Sequence, residues 1–369
     1  MMNQPNDHRE IVAVTGSSGL IGAAVVRRLA SSYRVIGFDR PGLPQPPEEA
    51  DAVDIDLASD DSVRDALRHV FDNDAQRLAS VIHLAAYYDF AGEPSPLYEQ
   101  VTVRGTERLL NGLRELGFTV EQFVFSSTML VHAPCEPGQA INEDWPIDPK
   151  WDYPRSKVRT EQVIRELRGD IPAVLLRIAG VYNDQGNSIP LVHQMQRIFE
   201  RQLTGRVYPG STSHGQAFVH LDDVVEAIWL TVQNRRHLPP LTVLLIGEDR
   251  TLSYDELQHT FAREIHGTDA SFETQRVPKT LAKVGAWVQD KLPGQAFIKP
   301  WMIDRATDHY ELDITRARNL LGWEPKRSLR DTLPKMVESL KRDPLAWYQR
   351  HELEPPNWLK QQPSAARHA

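Results

Sequence analysis

The sequence predicts an α/β protein, a doubly wound parallel sheet with a smaller C-terminal α/β lobe, on three observations. Short apolar runs of strand length alternate with stretches of helical periodicity through the first half of the chain. The first of these runs ends in a glycine-rich turn that opens a helix. Beyond residue 182 the alternation loses its regularity, as a second lobe would make it.

Taken in order, IVAVTG at 11–16 is a buried strand, and 20–31 carries Leu20, Ile21, Ala24, Val25 and Leu29 at helical spacing. RVIGFD at 34–39 is a second strand. The following PGLPQPPEEA holds four prolines and reads as a loop. Residues 51–57 form a weak strand and 60–70 a helix; 80–86 (SVIHLAA) is a buried strand and 97–116 a long helix. Strands follow at 122–128 and 173–181, with a helix at 156–167 between them. After these come a helix at 188–203, a strand running into a helix at 217–234, and a strand at 241–247. A helix opens at Ser253 with Glu256 three residues on, a capping-box spacing. The stretch from about 275 to 310 is irregular, broken by Pro278, Pro293 and Pro300. Helices at 314–325 and 328–340 and a tail rich in Trp and Pro close the chain.

The composition excludes several classes. The chain has 369 residues, 41% of them hydrophobic, with 42 Lys+Arg against 50 Asp+Glu for a formal net charge of −8. That is too apolar for disorder and too acidic for a broad nucleic-acid footprint. Cys135 is the single cysteine, which excludes a disulfide scaffold and suits a reducing, cytoplasmic location. No apolar run approaches the roughly 18–20 residues that span a bilayer, and the polar N-terminus lacks a signal-peptide core. No histidine spacing suggests a metal site.

TGSSGLIG places Gly16, Gly19 and Gly22 between the first strand and the first helix. Gly16 permits a tight turn, Gly19 lets backbone N–H groups approach a pyrophosphate, and Gly22 lets helix and strand pack closely; the helix N-terminus adds partial positive charge. Asp39 ends the second strand, 17 residues after Gly22, where a carboxylate accepts bonds from ribose hydroxyls and repels a 2′-phosphate. NAD is therefore expected, with NADP kept open by the adjacent Arg40. Tyr153 and Lys157, in YPRSK, lie one helical turn apart. An ammonium beside the phenol is expected to lower its pKa toward working pH, so that Tyr153 can exchange a proton while hydride moves to or from a nicotinamide. Ser126, Ser127 and Thr128 end a strand at the sheet edge where ligands bind.

The ordered pieces TGSSGLIG, Asp39, VIHLAA, VRGT, FVFSST, YPRSK, LLRIAGVY, AFVHLDD and NLLGWEP resemble the extended short-chain dehydrogenase/reductase family, in its NAD-dependent epimerase/dehydratase group, over roughly residues 10 to 341. The resemblance implies a Rossmann-type domain over 1–181 plus about 217–246, a substrate-binding lobe over about 182–216 and 247–345, and a tail over 346–369. It implies that Thr128, 25 residues before Tyr153, orients the substrate oxygen, that Tyr153 is the acid/base, and that Lys157 also binds the nicotinamide ribose. The implied cofactor contacts are Gly16, Ser18, Gly19, Leu20, Ile21, Gly22, Asp39, Arg40, Asp56, Leu57, Leu84, Ala85, Ala86, Tyr153, Lys157 and Ile178. A homodimer through the helices at 97–116 and 156–167 is implied too.

The match departs from the family's pattern in three places. Thr102 replaces the Asn of the helix motif. Gly180 stands where nucleotide-sugar epimerases usually carry Asn, and Gln216 and Ala217 replace the usual pair with Arg before the aromatic of AFVHLDD. Gln cannot supply the bidentate, charge-assisted bonds that Arg gives a diphosphate. The expected reaction is therefore NAD(P)-dependent hydride transfer at a secondary alcohol or ketone of a small molecule. The alternatives are a nucleotide-sugar epimerase or dehydratase working by transient oxidation, with Arg177, Arg197, Arg201 or Arg206 as possible diphosphate ligands, and a non-catalytic NAD(H)-binding sensor. Substrate candidates are Tyr87, Tyr88, Met129, Gly180 and Tyr182, with Phe90, His132 and His193 as further pocket candidates. Trp287, Phe297, Trp301 and Met302 read as core, with an apolar lid or a membrane-surface patch as the alternative, and Trp347 and Trp358 as a wrap on the protein surface or on a dimer partner.

Overall fold

A computed structural model describes residues 8–42, 44–73, 75–89, 92–267, 274–277 and 300–361. Seven strands, β1 (Ile11–Thr15), β2 (Arg34–Asp39), β3 (Ala50–Asp54), β4 (Ser80–His83), β5 (Phe123–Thr128), β6 (Ala173–Ile178) and β7 (Leu241–Ile246), form one sheet. All are parallel, in the order 7-6-5-4-1-2-3. The chain runs outward from β1 to β3, then returns to β4 on the other side of β1. Strand order reverses there, and a crevice opens beyond the C-terminal ends of β1 and β4.

Side chains of successive strand residues point to opposite faces, so a central strand buried on both sides is apolar throughout. Val12 and Val14 of β1 join a core with Val25 and Leu29 of α1 (Leu20–Leu29) and Val224 and Ile228 of α6 (Leu221–Gln233). Ala13 faces the other way, into a core with Leu67 of α2 (Asp60–Asn73), Leu110 of α3 (Arg104–Glu115) and Ile164 of α4 (Asp152–Leu167). A third apolar cluster lies off the sheet. Tyr182, Leu191 and Met195 of α5 (Ile189–Phe199), Phe261 of α7 (Tyr254–His266) and Leu333 of α10 (Leu329–Arg342) build it. Between α7 and α10 lie α8 (Pro300–Arg305) and α9 (Thr315–Leu321), and α11 (Pro344–Arg350) and α12 (Asn357–Lys360) follow. The tail packs on this third cluster: Trp347 and Tyr348 are buried, the Tyr348 hydroxyl donates to Glu200 at 2.6 Å, and the partly exposed Trp358 lies 5.6 Å from the Phe199 ring.

Several expected boundaries move for identifiable reasons. The long helix at 97–116 begins as a π-helix over Tyr98–Val103, and Thr102 Oγ1 there accepts from Tyr87 N at 3.0 Å. The strand expected over 173–181 breaks at Ala179, and Gly180–Tyr182 pairs instead with Phe218–His220. The capping box forms as expected: Ser253 and Glu256 bond each other's backbone N–H. NLLGWEP closes against α6, where the Trp323 indole donates to the Asp223 carbonyl and the Asp223 carboxylate takes the backbone N–H groups of Lys326 and Arg327. Phe90, Trp287 and Phe297 lie outside the described residues, as do the side chains of Trp301 and Met302.

Candidate active site

The glycine turn is shaped by close approaches. Gly16 has φ +71°, a conformation other L-residues resist, and a Cβ there would come within 3.0 Å of the Ala85 backbone. A Cβ on Gly22 would lie 2.0 Å from the Gly16 carbonyl oxygen, so only glycine fits. The turn is therefore locked against Leu84, Ala85 and Ala86, which run irregularly out of β4 into the crevice. Gly19 is the N-cap of α1; no side chain caps this helix and its first turn holds no acid. The N–H groups of the first turn, including those of Leu20 and Ile21, thus have no partner within the helix. Ser18 Oγ is buried beside them without a hydrogen-bond partner. An uncapped helix start, an orphaned buried hydroxyl and a turn with no room for side chains are what a bound pyrophosphate requires.

The Asp39 carboxylate is fixed at the end of β2 by the N–H groups of Ser18 and Arg40, both at 2.9 Å. Arg40 is exposed and enters through its backbone. Asp56 turns the chain after β3, its carboxylate taking the Ala58 N–H at 2.9 Å. Buried Leu57 packs so closely on Gly105 that a Cβ there would lie 2.8 Å from the Leu57 Cβ.

On the opposite side of the crevice, Thr128 ends β5 in register with Ile178 of β6, and buried Met129 follows it. Tyr153 and Lys157 occupy one face of α4, which begins at Asp152 rather than at the expected 156. The Tyr153 phenol shares a hydrogen bond with Thr128. Lys157 Nζ donates to the Ser126 carbonyl at 2.7 Å and lies 5.8 Å from the Tyr153 ring centre. The half-exposed Tyr88 meets the Tyr153 ring edge-on at 4.9 Å, while Tyr87 stands against Tyr98 at 4.8 Å. The expected lowering of the phenol pKa does not occur in the chain alone. Burial pushes Tyr153 up to about 12, the Thr128 bond working against it. Burial pushes Lys157 down to about 7, with Glu161 working against it. Each group loses more solvation than its neighbour restores.

Three candidates are corrected. Tyr182 is fully buried, and its hydroxyl donates to Glu248 at 2.8 Å; it closes the joint between sheet and third cluster and does not face the crevice. His132 is buried too, held between the Trp145 carbonyl and Arg177. Arg177 is itself spent on a buried ion pair with Glu161 at 2.7 Å, so it is not a diphosphate ligand. At Gly180 a Cβ would lie 2.9 Å from the ring of Phe218, its strand partner, which fills the space an Asn would take.

A cavity of about 270 Å³ lies among α5, α7, α8 and the segment 204–218. Leu191, Val207, Pro209, Phe218, Leu257 and Ile303 give it apolar walls. The rings of Tyr208 and Tyr254 stack at 3.8 Å on one side, and Arg197 and Arg305 both line it. Arg305 also stands over the ring of Trp151, the N-cap residue of α4, at 5.6 Å. Of these residues only Arg197 stood among the sequence candidates. Tyr208, Tyr254 and Arg305 carry no local motif, and their convergence is purely tertiary. Among the described residues no three His, Cys, Asp or Glu side chains cluster as a metal site would.

The model of the NAD dependent epimerase/dehydratase family matches residues 12–247. A dTDP-6-deoxy-L-talose 4-dehydrogenase (NAD(P)(+)) of Kitasatospora kifunensis is 26% identical over 94% of this chain and 100% of its own length. A UDP-glucose 4-epimerase of Mycolicibacterium smegmatis is 26% identical over 88% and 96%. Among solved structures, MoeE5 in complex with UDP-glucose and NAD superposes with a TM-score of 0.64 at 25% identity, covering 90% of this chain and 98% of that one.

Proposed function

The chain belongs to the NAD-dependent epimerase/dehydratase family, and we propose that it acts on a nucleotide-linked sugar, oxidising one ring carbinol to a ketone with NAD and returning the hydride to give the epimer. The observation that carries this reading is a cavity where Arg197, Arg305 and the stacked Tyr208–Tyr254 pair line one small space. Guanidinium groups suit a diphosphate, and aromatic faces suit a base. Arg197 and Arg305, the latter paired at 3.4 Å with Asp308 of the same lining, would stand in for the missing Asn and Arg from other positions. The names of the relatives support the same class.

NAD fits the residues described. The first turn of α1 and Ser18 would hold the pyrophosphate, and Asp39 the adenosine ribose. Leu84, Ala85, Ala86 and Ile178 would line the path to the nicotinamide, with Tyr153 and Lys157 at the nicotinamide ribose. When bound, the nicotinamide accepts and returns the hydride. Thr128 and Tyr153 then share the reacting oxygen, with Tyr153 taking its proton on oxidation and giving it back on reduction. Lys157, anchored by the Ser126 carbonyl, keeps an ammonium close to the phenol.

A net dehydrogenase on the same substrate class is the second reading, favoured by the named talose dehydrogenase relative. A panel of UDP- and dTDP-hexoses with NAD separates the two. Epimer without accumulating NADH supports the first, and stoichiometric NADH the second. Reduction of simple ketones with every nucleotide sugar inert defeats both.

A cytoplasmic location is inferred from the NAD dependence and the lone, buried Cys135; no helix among the described residues is long and apolar enough to cross a membrane. The homodimer through α3 and α4 is kept as a proposal. Sedimentation equilibrium should show a species of twice the chain mass, and a monomer at all concentrations overturns the dimer.

A further inference from the structure

We propose that Ser127, Glu161 and Arg177 form a buried strap that positions Thr128 and Lys157 against Tyr153, an assignment that rests on the active-site reading above. Glu161 lies one turn beyond Lys157 on α4, on the same face. Its Oε1 accepts from Ser127 Oγ at 2.6 Å and from Arg177 Nε at 3.0 Å, and its Oε2 accepts from Arg177 Nη2 at 2.7 Å. The three residues are only 4–5% exposed. Ser127 and Arg177 are direct cross-strand partners in β5 and β6. Arg177 Nη1 reaches further, donating to the Glu143 carbonyl at 2.9 Å and to His132 Nε2 at 3.0 Å. With Nε2 accepting, His132 donates from Nδ1 to the Trp145 carbonyl and stays neutral. Two strands, the catalytic helix and the loop after Thr128 are thereby tied at one point.

Ser127 is the link that matters to the chemistry. Its neighbour Ser126 supplies the carbonyl that anchors Lys157 Nζ, and its other neighbour is Thr128, bonded to Tyr153. A shift of this strand end relative to α4 would move both contacts together. A buried ion pair contributes little net stability beside an apolar pair of the same volume, so stability alone does not account for one here. Holding three reacting groups in fixed geometry does, since displacements of about 1 Å can cost about 100-fold in rate.

Ser127→Ala cuts the strap from β5 and leaves the Glu161–Arg177 pair intact; Ser127→Thr keeps a hydroxyl. With UDP- and dTDP-hexoses as probes, Ser127→Ala should lower kcat about tenfold or more while KM, NAD affinity and Tm stay near those of the parent, and Ser127→Thr should restore most of the loss. Should Ser127→Ala fail to fold, Glu161→Gln combined with Arg177→Met keeps a neutral pair of similar bulk, and it should recover Tm without recovering kcat. Parental kcat in a folded Ser127→Ala, or in the double variant, overturns the strap. Tyr153→Phe separates this result from the wider reading: turnover surviving there overturns the active site itself, whereas loss there with intact Ser127→Ala overturns only the strap. If the probes do not turn over, the NAD-bound variants are compared by the pH midpoint of Tyr153 ionisation, read as tyrosinate absorbance against Tyr153→Phe. The ionisable groups around the pair are Tyr88, Tyr98, His83 and Glu161. An upward move of about one unit in Ser127→Ala is expected, and an unmoved midpoint overturns the proposal.

Discussion

On the dinucleotide side of the crevice the backbone forms the site. Gly16 and Gly22 are there because a side chain would strike the chain itself, and the anion-binding groups are amides of a helix left uncapped. On the proposed substrate side, side chains do the work: Arg197 from α5, Tyr208 from a short strand, Tyr254 from α7 and Arg305 from α8 meet around one cavity. The first arrangement depends on residues within a few positions of one another. The second depends on segments a hundred residues apart being docked correctly. Cofactor binding should therefore be sensitive to single atoms and indifferent to the third cluster, and substrate binding the reverse.

The largest expected effect lies where the two sides meet. Tyr153→Phe should lower kcat by about 10²–10⁴-fold with unchanged NAD affinity, since only the proton carrier is lost. Fluorescence titration with NADH beside steady-state kinetics checks it. Gly22→Ala should come next, costing about 100-fold or more in NAD affinity (near 2.7 kcal/mol), because its Cβ would enter the Gly16 carbonyl. A variant that binds NAD normally would break the comparison on the backbone side. Arg305→Met should raise KM for a nucleotide sugar about 10–100-fold while NAD affinity holds, the usual loss of a charge-assisted bond. An unchanged KM would remove Arg305 from the substrate site and weaken the diphosphate reading. Asp39→Asn, measured with both cofactors, should narrow the preference for NAD over NADP by about tenfold, since one charge facing a 2′-phosphate is removed.

The smallest effect concerns stability and has a definite sign. Lys157 titrates near 7 in the fold against an ordinary 10.5. Between those values the unfolded chain binds more protons, so this group makes the fold more stable as pH rises from 7 and costs most below it. Lys157→Met should therefore abolish turnover yet keep Tm at pH 7 equal to the parent or a few degrees above it, with the advantage shrinking toward pH 10. Scanning calorimetry across that range decides it, and a Tm gap that widens with pH would contradict the burial of the amine.

Much of the architecture could be read along the chain. The apolar runs of β1, β2, β4, β5, β6 and β7 are strands because a sheet covered on both faces buries most of its positions, the buried polar exceptions such as Ser127 and Arg177 being hydrogen-bonded. Element ends were less legible. The break at Ala179 depends on Phe218, some forty positions away, and the π-turn at Tyr98–Val103 has no local signature. The pKa of Tyr153, expected to fall, rises through burial in the chain alone, because spacing shows proximity and not desolvation.

What the sequence by itself determined was whatever is short in range: the glycine turn, Asp39 at a strand end, a tyrosine and a lysine one turn apart, and the alternation that makes a doubly wound sheet. Only the tertiary structure decided that Arg177 is locked in an ion pair, that Tyr182 is core, and that Arg197, Arg305, Tyr208 and Tyr254 share a cavity. The physical reason is that backbone geometry is written within a turn or a strand. Burial and charge pairing depend on which distant segments happen to pack together.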